Sequence, residues 1–240
     1  MKAVILAGGL GTRLKPFTEV IPKPLLPVGE SSVLEIQILS LARCGFDEIY
    51  IATNYMADYI EAFLGNGDKY GVRLTYSRET KPLGTCGPLS LIRSDLVEPF
   101  LLMNGDILTT VNFREVLEFA VDSDADLTVV TKEFVTPFNF GKVTKEGPYI
   151  VAIEEKPNFR FEVLAGIYAI KPTVLSMIPE GEYFGMDTLI NTMLASHRKV
   201  AGFALSGYWL DIGQADDFQT ARTNYNEFFG HLKKQPGAKD

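Results

Sequence analysis

The sequence predicts an α/β protein, a three-layer and mainly parallel sheet with helices on both faces and a small β-rich insertion. Three observations carry that expectation. Short apolar runs alternate with helical stretches through the first half of the chain, the pattern of strand–helix–strand units. The run at residues 3–7 is continuously apolar, as suits a strand buried on both faces. After Lys132 the texture changes to short strands separated by turn residues.

The elements follow in order. The strand at 3–7 exits directly into Gly8, Gly9 and Gly11. Ser32 and Glu35 have capping-box spacing, apolar residues recur through Leu39 and Leu41, and Gly45 stops that helix. A second strand spans 48–53, and a helix spans 56–64 with Ile60, Phe63 and Leu64 on one face. Residues 73–77 alternate as a strand, and 83–93 read as a helix with Thr85 as its candidate cap. Another apolar strand covers 100–104, Asn112 caps a helix ending near Asp122, and 125–132 form a further strand. Short strands at 141–144, 150–156 and 163–170 make the insertion, and helices return at 187–196 and 215–229. Residues 1–230 are expected to form a single domain, with 231–240 a flexible polar tail.

Composition narrows the function classes. The 240 residues are 46% hydrophobic and 22% charged, ordinary for a globular protein able to bury a sizeable core. The net charge is -7 and no block of Lys or Arg stands out, so neither nucleic acid nor a membrane surface is an expected partner. Cys44 and Cys86 form no CxxC pair and are expected as buried free thiols. No apolar stretch approaches the roughly 20 residues of a membrane span. The N-terminal run is too short for a signal peptide, so a cytoplasmic location is expected. His197 and His231 lie in no metal-ligand pattern, His197 reading as a helix C-terminal cation.

The chemistry begins at Gly8-Gly9-Leu10-Gly11-Thr12-Arg13. Its glycines let the backbone turn tightly, and successive N–H groups make a nest for phosphate oxygens. Arg13 adds a planar fork suited to phosphate. The spacing is neither a P-loop nor the dinucleotide fingerprint, since Leu14 stands where a third small residue would be needed. Alone, the loop reads equally as a strand-exit turn. Pro22 and Pro24 hold Lys23 in an extended segment, which makes it an aimed point charge or a plain loop lysine. Gly84 and Gly87 permit a flat backbone surface on which a base could stack, and Glu79 could accept two donors from a guanine edge. Asn104-Gly105-Asp106 ends an apolar strand, where sheets of this kind bind ligands. An aspartate there suits Mg²⁺, a hard cation that prefers oxygen.

Together, Gly8-Gly9-x-Gly11-Thr12-Arg13 and Pro22-Lys23-Pro24 resemble the signature of the sugar-phosphate nucleotidyltransferases, or nucleotide-sugar pyrophosphorylases, along about residues 2–225. The stretch Gly84-Thr85-Cys86-Gly87-Pro88-Leu89 is most similar to the mannose-1-phosphate guanylyltransferase branch. The resemblance implies a Rossmann-like, GT-A-like sheet and an enzyme that joins a nucleoside triphosphate, GTP favoured, to a sugar-1-phosphate with Mg²⁺. It implies a nucleotide site from Leu6, Ala7, Gly8, Gly9, Gly11, Thr12, Arg13, Lys23, Glu79, Pro82, Gly84, Thr85, Asn104 and Gly105. Asp106 and Asp211 would share the metal. Glu155 would bind sugar hydroxyls, Lys156 would neutralise the sugar phosphate, and Gly141, Leu164, Ala165 and Gly166 would complete the sugar site. Arg13, Lys23, Asp106, Lys156 and Asp211 are the implied catalytic set. Leu164 departs from the Asn or Thr many members carry there, so the sugar is left unnamed. A thymidylyl- or uridylyl-transferase of the same fold is the alternative. An inactive nucleotide-sugar-sensing regulatory subunit is the alternative from another class. A homo-oligomer is left open.

Overall fold

A computed structural model describes residues 1–232 of the chain, so the expected tail lies almost wholly outside the described residues. The chain runs β1 (Lys2–Leu6), β2 (Pro27–Val28), β3 (Ser31–Ser32), α1 (Val33–Arg43), β4 (Glu48–Thr53), α2 (Ala57–Leu64), β5 (Arg73–Arg78), β6 (Phe100–Asn104) and β7 (Ile107–Thr109). It continues α3 (Phe113–Asp122), β8 (Leu127–Pro137), β9 (Lys142–Glu146), β10 (Tyr149–Glu154), β11 (Asn158–Ile170), α4 (Met186–Ala195), β12 (Val200–Ala204), β13 (Trp209–Asp211) and α5 (Ala215–Phe228).

Seven strands form one sheet in the order β12-β8-β11-β6-β1-β4-β5. All neighbours are parallel except β11, which runs antiparallel to both β6 and β8. Strand alternation splits the interior into two cores. Ala3 and Ile5 of β1 face a core shared with α1, α2, α3 and α5. Val4 faces the other, shared with α4 and the irregular segments at Gly87–Asp95 and Pro172–Met177. The result is the expected three layers. The α1 capping box is present in both directions: the Ser32 hydroxyl accepts from the Glu35 N–H, and the Glu35 carboxylate accepts from the Ser32 N–H.

Two expectations are corrected. The segment at 83–93 is not an α-helix: a kinked 3-10 run covers Gly87–Asp95, with Ile92 out of helical geometry. The amides of Cys86 and Gly87 instead donate to the Phe184 carbonyl, which pulls the segment onto a distant loop. Thr85 caps a different helix, its hydroxyl accepting from Met186 N–H at the start of α4. Second, β8 and β11 are longer than expected. They pair from Leu127↔Ile170 out to Pro137↔Asn158, with an irregularity between Leu164 and Tyr168. Their far ends and the β9–β10 hairpin form an arm on which β9 and β10 are exposed throughout. The cysteines also differ from each other. Cys86 is buried and burial pushes its thiol up to about 12, whereas Cys44 is only partly buried as the residue ending α1.

Candidate active site

The C-terminal ends of β1, β4, β5 and β6 open onto one cavity of about 370 Å³. Gly8, Gly9 and Leu10 line it from the exit of β1, Asn54 from β4, and Glu79 from β5. Asn104 and Asp106 line it from β6, and Pro82, Gly84 and Thr85 from the segment beyond β5. The crevice therefore lies at the carboxyl edge of the sheet, where open α/β sheets bind ligands.

The glycines are there because neighbours are close. A Cβ on Gly8 would stand 2.9 Å from the Glu79 Oε1. Gly11 has φ +61, and a Cβ there would lie 2.8 Å from the Thr18 methyl and 3.0 Å from the Lys23 Cβ. The turn thus brings Lys23 against the glycine loop. Lys23 Nζ donates to Asp106 Oδ2 at 2.5 Å, with only 11% of its side chain exposed.

Asp106 and Asp211 meet through backbone pairing. The strand β13 pairs antiparallel with β7, which sets Asp211 opposite Ile107. The Ile212 N–H donates to the Asp106 carbonyl at 3.0 Å. Burial raises the Asp211 pKa above the usual carboxylate range; the Asp106 charge adds to this, while Lys23 and Arg13 oppose it. Asp106 Oδ1 is buried without a hydrogen-bond partner among the described residues. Two converging carboxylates, one with an unpartnered oxygen, are a donor set that fits a hard divalent cation. Such an ion commonly takes one or two carboxylates and completes its shell with phosphate and water.

Arg13 stands close to the turn after Asp211, since a Cβ on Gly213 would lie 3.6 Å from an Arg13 guanidinium nitrogen. Asp217 holds that turn by accepting from the Gly213 and Gln214 amides at 3.2 and 2.8 Å. Glu79 Oε2 accepts from Leu83 N–H at 2.9 Å. Burial raises the Glu79 pKa, against the pull of the Leu83 amide and the Asn54 side chain. Leu6 also lines the cavity, and Ala7 N–H donates to the Ala52 carbonyl at 2.8 Å. Gly105 lets its own N–H reach the Leu6 carbonyl at 2.9 Å, a contact a Cβ would spoil at 2.5 Å. Thr12 and Arg13 occupy a short 3-10 turn and are exposed.

The sugar-site residues divide between core and arm. Gly166 has φ +71, and a Cβ there would stand 2.8 Å from Nδ2 of Asn104, a residue that lines the cavity. Ala165 is fully buried and its carbonyl accepts from Trp209 Nε1 at 2.9 Å, while Leu164 is 51% exposed. Gly141 and Glu155 stand together on the arm, a Cβ on Gly141 lying 3.1 Å from a Glu155 oxygen. Lys156 is exposed and has φ +49, an unusual backbone state for a lysine. These three arm residues do not line the cavity.

The nucleotidyl transferase model matches residues 2–227. The chain belongs to the nucleotidyl transferase family. Members of this family generally use a divalent metal, in keeping with the Asp106–Asp211 pair. A mannose-1-phosphate guanyltransferase of Yarrowia lipolytica is 36% identical over 99% of this chain and 67% of its own length. The mannose-1-phosphate guanylyltransferase catalytic subunit beta of Dictyostelium discoideum is 34% identical over 91% of this chain and 62% of its own. The chain thus spans about two thirds of the length of these relatives. Among solved structures, a Bacillus anthracis protein assigned as a glucose-1-phosphate thymidylyltransferase superposes with a TM-score of 0.76 at 29% identity, over 93% of this chain and 94% of that one.

The sequence signals missed several residues around the cavity. Asn54 carries no motif. Gln37 sits in the middle of a helix and looks like any polar helical residue, yet it is buried. Its Nε2 donates to the Asn104 and Ile107 carbonyls at 2.9 and 2.8 Å, either side of Asp106. No helix among the described residues is long and apolar enough to cross a membrane.

Proposed function

We propose that this chain joins a nucleoside triphosphate, with GTP favoured, to a sugar-1-phosphate and releases pyrophosphate. One observation supports this most: Lys23, Asp106 and Asp211 converge beside the glycine loop, at the mouth of a cavity walled by Glu79 and Gly84. Cations and carboxylates meet there without a histidine or a nucleophilic triad.

Such an inventory suits transfer to a phosphate nucleophile. The sugar-1-phosphate oxygen is already ionised at neutral pH and needs no strong base. It attacks the α-phosphorus in line, the new P–O bond forms, and the bond to the leaving pyrophosphate breaks. Catalysis is positioning plus charge neutralisation. Arg13, Lys23 and the backbone nest steady the triphosphate, and Lys156 on the arm orients the sugar phosphate. Asp106 and Asp211 would hold Mg²⁺, which offsets negative charge on the phosphates when bound. Glu79, whose Oε1 faces Gly8, is an acceptor for the paired N–H donors on a guanine edge. The guanylyl-transferring relatives favour the same base.

Thymidylyl transfer is the second reading, favoured by the Bacillus anthracis neighbour. Pyrophosphate release across four triphosphates and the 1-phosphates of mannose, glucose, glucosamine and heptose separates the readings. We expect GTP to lead, with release abolished by a chelator. A lead for dTTP or UTP moves the assignment to the alternative. No release from any pair leaves a nucleotide-sugar-sensing relative.

A further inference from the structure

We propose that Tyr183 is the stacking platform for the nucleotide base. The inference rests on the nucleotidyl-transfer reading and adds the side chain that holds the base face. The cavity offers a base two kinds of contact without it. Glu79 supplies an edge acceptor, and the backbone around Gly84 supplies a flat surface. Tyr183 is the one aromatic side chain among the cavity's lining residues.

Its placement is what distinguishes it from an ordinary surface tyrosine. The residue is 73% exposed, yet the backbone on either side is pinned. Phe184 N–H donates to the Leu83 carbonyl at 2.8 Å, and the Phe184 carbonyl accepts from Cys86 and Gly87 at 2.9 and 3.1 Å. Gly181 N–H donates to Ser90 Oγ at 3.1 Å, and Met186 N–H to Thr85 Oγ1 at 2.8 Å. The loop bearing Tyr183 is thereby clasped to the segment bearing Gly84. The absence of a side chain at Gly84 makes the clasp possible. With φ +80, a Cβ there would meet the Phe184 carbonyl at 2.8 Å and the Tyr183 ring at 3.3 Å. A ring carried on a pinned backbone and left open to the cavity is pre-organised for a flat partner, and every base has a π-face to offer it.

The test uses the full chain as wild type, Tyr183→Ala and Tyr183→Phe. GTP binding with Mg²⁺ and no sugar phosphate is measured by calorimetry. Inorganic tripolyphosphate, which has no base, is measured alongside. We expect Tyr183→Ala to weaken GTP about tenfold or more while Tyr183→Phe stays within about twofold of wild type. Tripolyphosphate binding and the KM for sugar-1-phosphate should not change. GTP binding within about twofold of wild type in Tyr183→Ala would overturn the proposal. So would equal weakening of tripolyphosphate, which signals a structural role. If wild type prefers another triphosphate, the guanine reading alone fails. The same comparison then runs with that nucleotide, because stacking tolerates any base. Wild type that binds no triphosphate overturns both.

Discussion

Asp211 sits on β13, which pairs with β7, and Asp106 lies in the turn just before β7 with its carbonyl held by the Ile212 N–H, so the backbone keeps the two carboxylates close. We expect Asp106→Asn to lower turnover about 100-fold or more with an unchanged thermal melt. Wild-type metal-dependent turnover in that variant would sink the metal assignment. Asp211 gives a second test, with a definite sign. Its pKa is raised in the folded protein, chiefly by burial and then by Asp106. Its stabilising contribution is therefore full at acid pH, below its unfolded value. That contribution is lost as pH rises through the folded value, where the ionised group must be accommodated. Asp211→Asn should raise Tm at pH 7.5 in chelator by about 1–2 °C, a small gain because the residue is still partly open to solvent, which screens its charge. The gain should vanish below about pH 4, where the wild-type carboxyl is protonated as well. A loss of stability at pH 7.5 would show that the carboxylate is instead held favourably by Lys23 and Arg13.

At the scale of elements, α1 does more than cover the sheet. Its capping box fixes its start, and one turn later Gln37 reaches the two carbonyls flanking Asp106. Both contacts need an N–H donor, so the amide orientation is determined by chemistry. Gln37→Leu removes the side-chain donor from both carbonyls. We expect a loss of about 1–3 kcal/mol in urea unfolding. We also expect a higher metal requirement for turnover, relieved by raising Mg²⁺. An unchanged metal requirement would show that the turn holds Asp106 without α1. The same elements show what local pattern can and cannot reveal. The first strand, the α1 cap, β6 and the Asn112 cap were legible because each is written in a few adjacent residues. The strands β7, β12 and β13 were not. They are three to five residues long, and their pairing partners lie tens of residues away. Thr85 was misread for the same reason: the helix it caps begins 101 residues later. At the site, the glycine loop and the lysine between prolines announced themselves, whereas Asn54, Gln37 and Tyr183 act through contacts that only the fold creates.

Across the whole molecule, the sheet itself links the cavity to the arm. The strands β8 and β11 leave the core as a pair and carry Glu155 and Lys156 out onto the arm. The core keeps the residues proposed to hold the triphosphate, from the glycine loop to Asp211. This division predicts separable functions. The arm can be removed at a defined place, because Pro137 and Asn158 are register partners and Phe138 N–H donates to the Pro157 carbonyl at 3.0 Å. Ends that close can be joined by a two-residue Asn-Gly turn in place of residues 138–157. The excised residues are almost all exposed, with Pro157 the buried exception, so little of the core is lost. We expect the shortened chain to melt within about 3 °C of the full one, a shift of roughly 1 kcal/mol. Its GTP affinity in calorimetry should stay within about twofold of wild type, while pyrophosphate release with any sugar-1-phosphate falls below about 1% of it. Retained turnover would remove Glu155 and Lys156 from the sugar-phosphate site. Lost GTP binding would show that the arm shapes the nucleotide cavity as well, and that the two regions act as one.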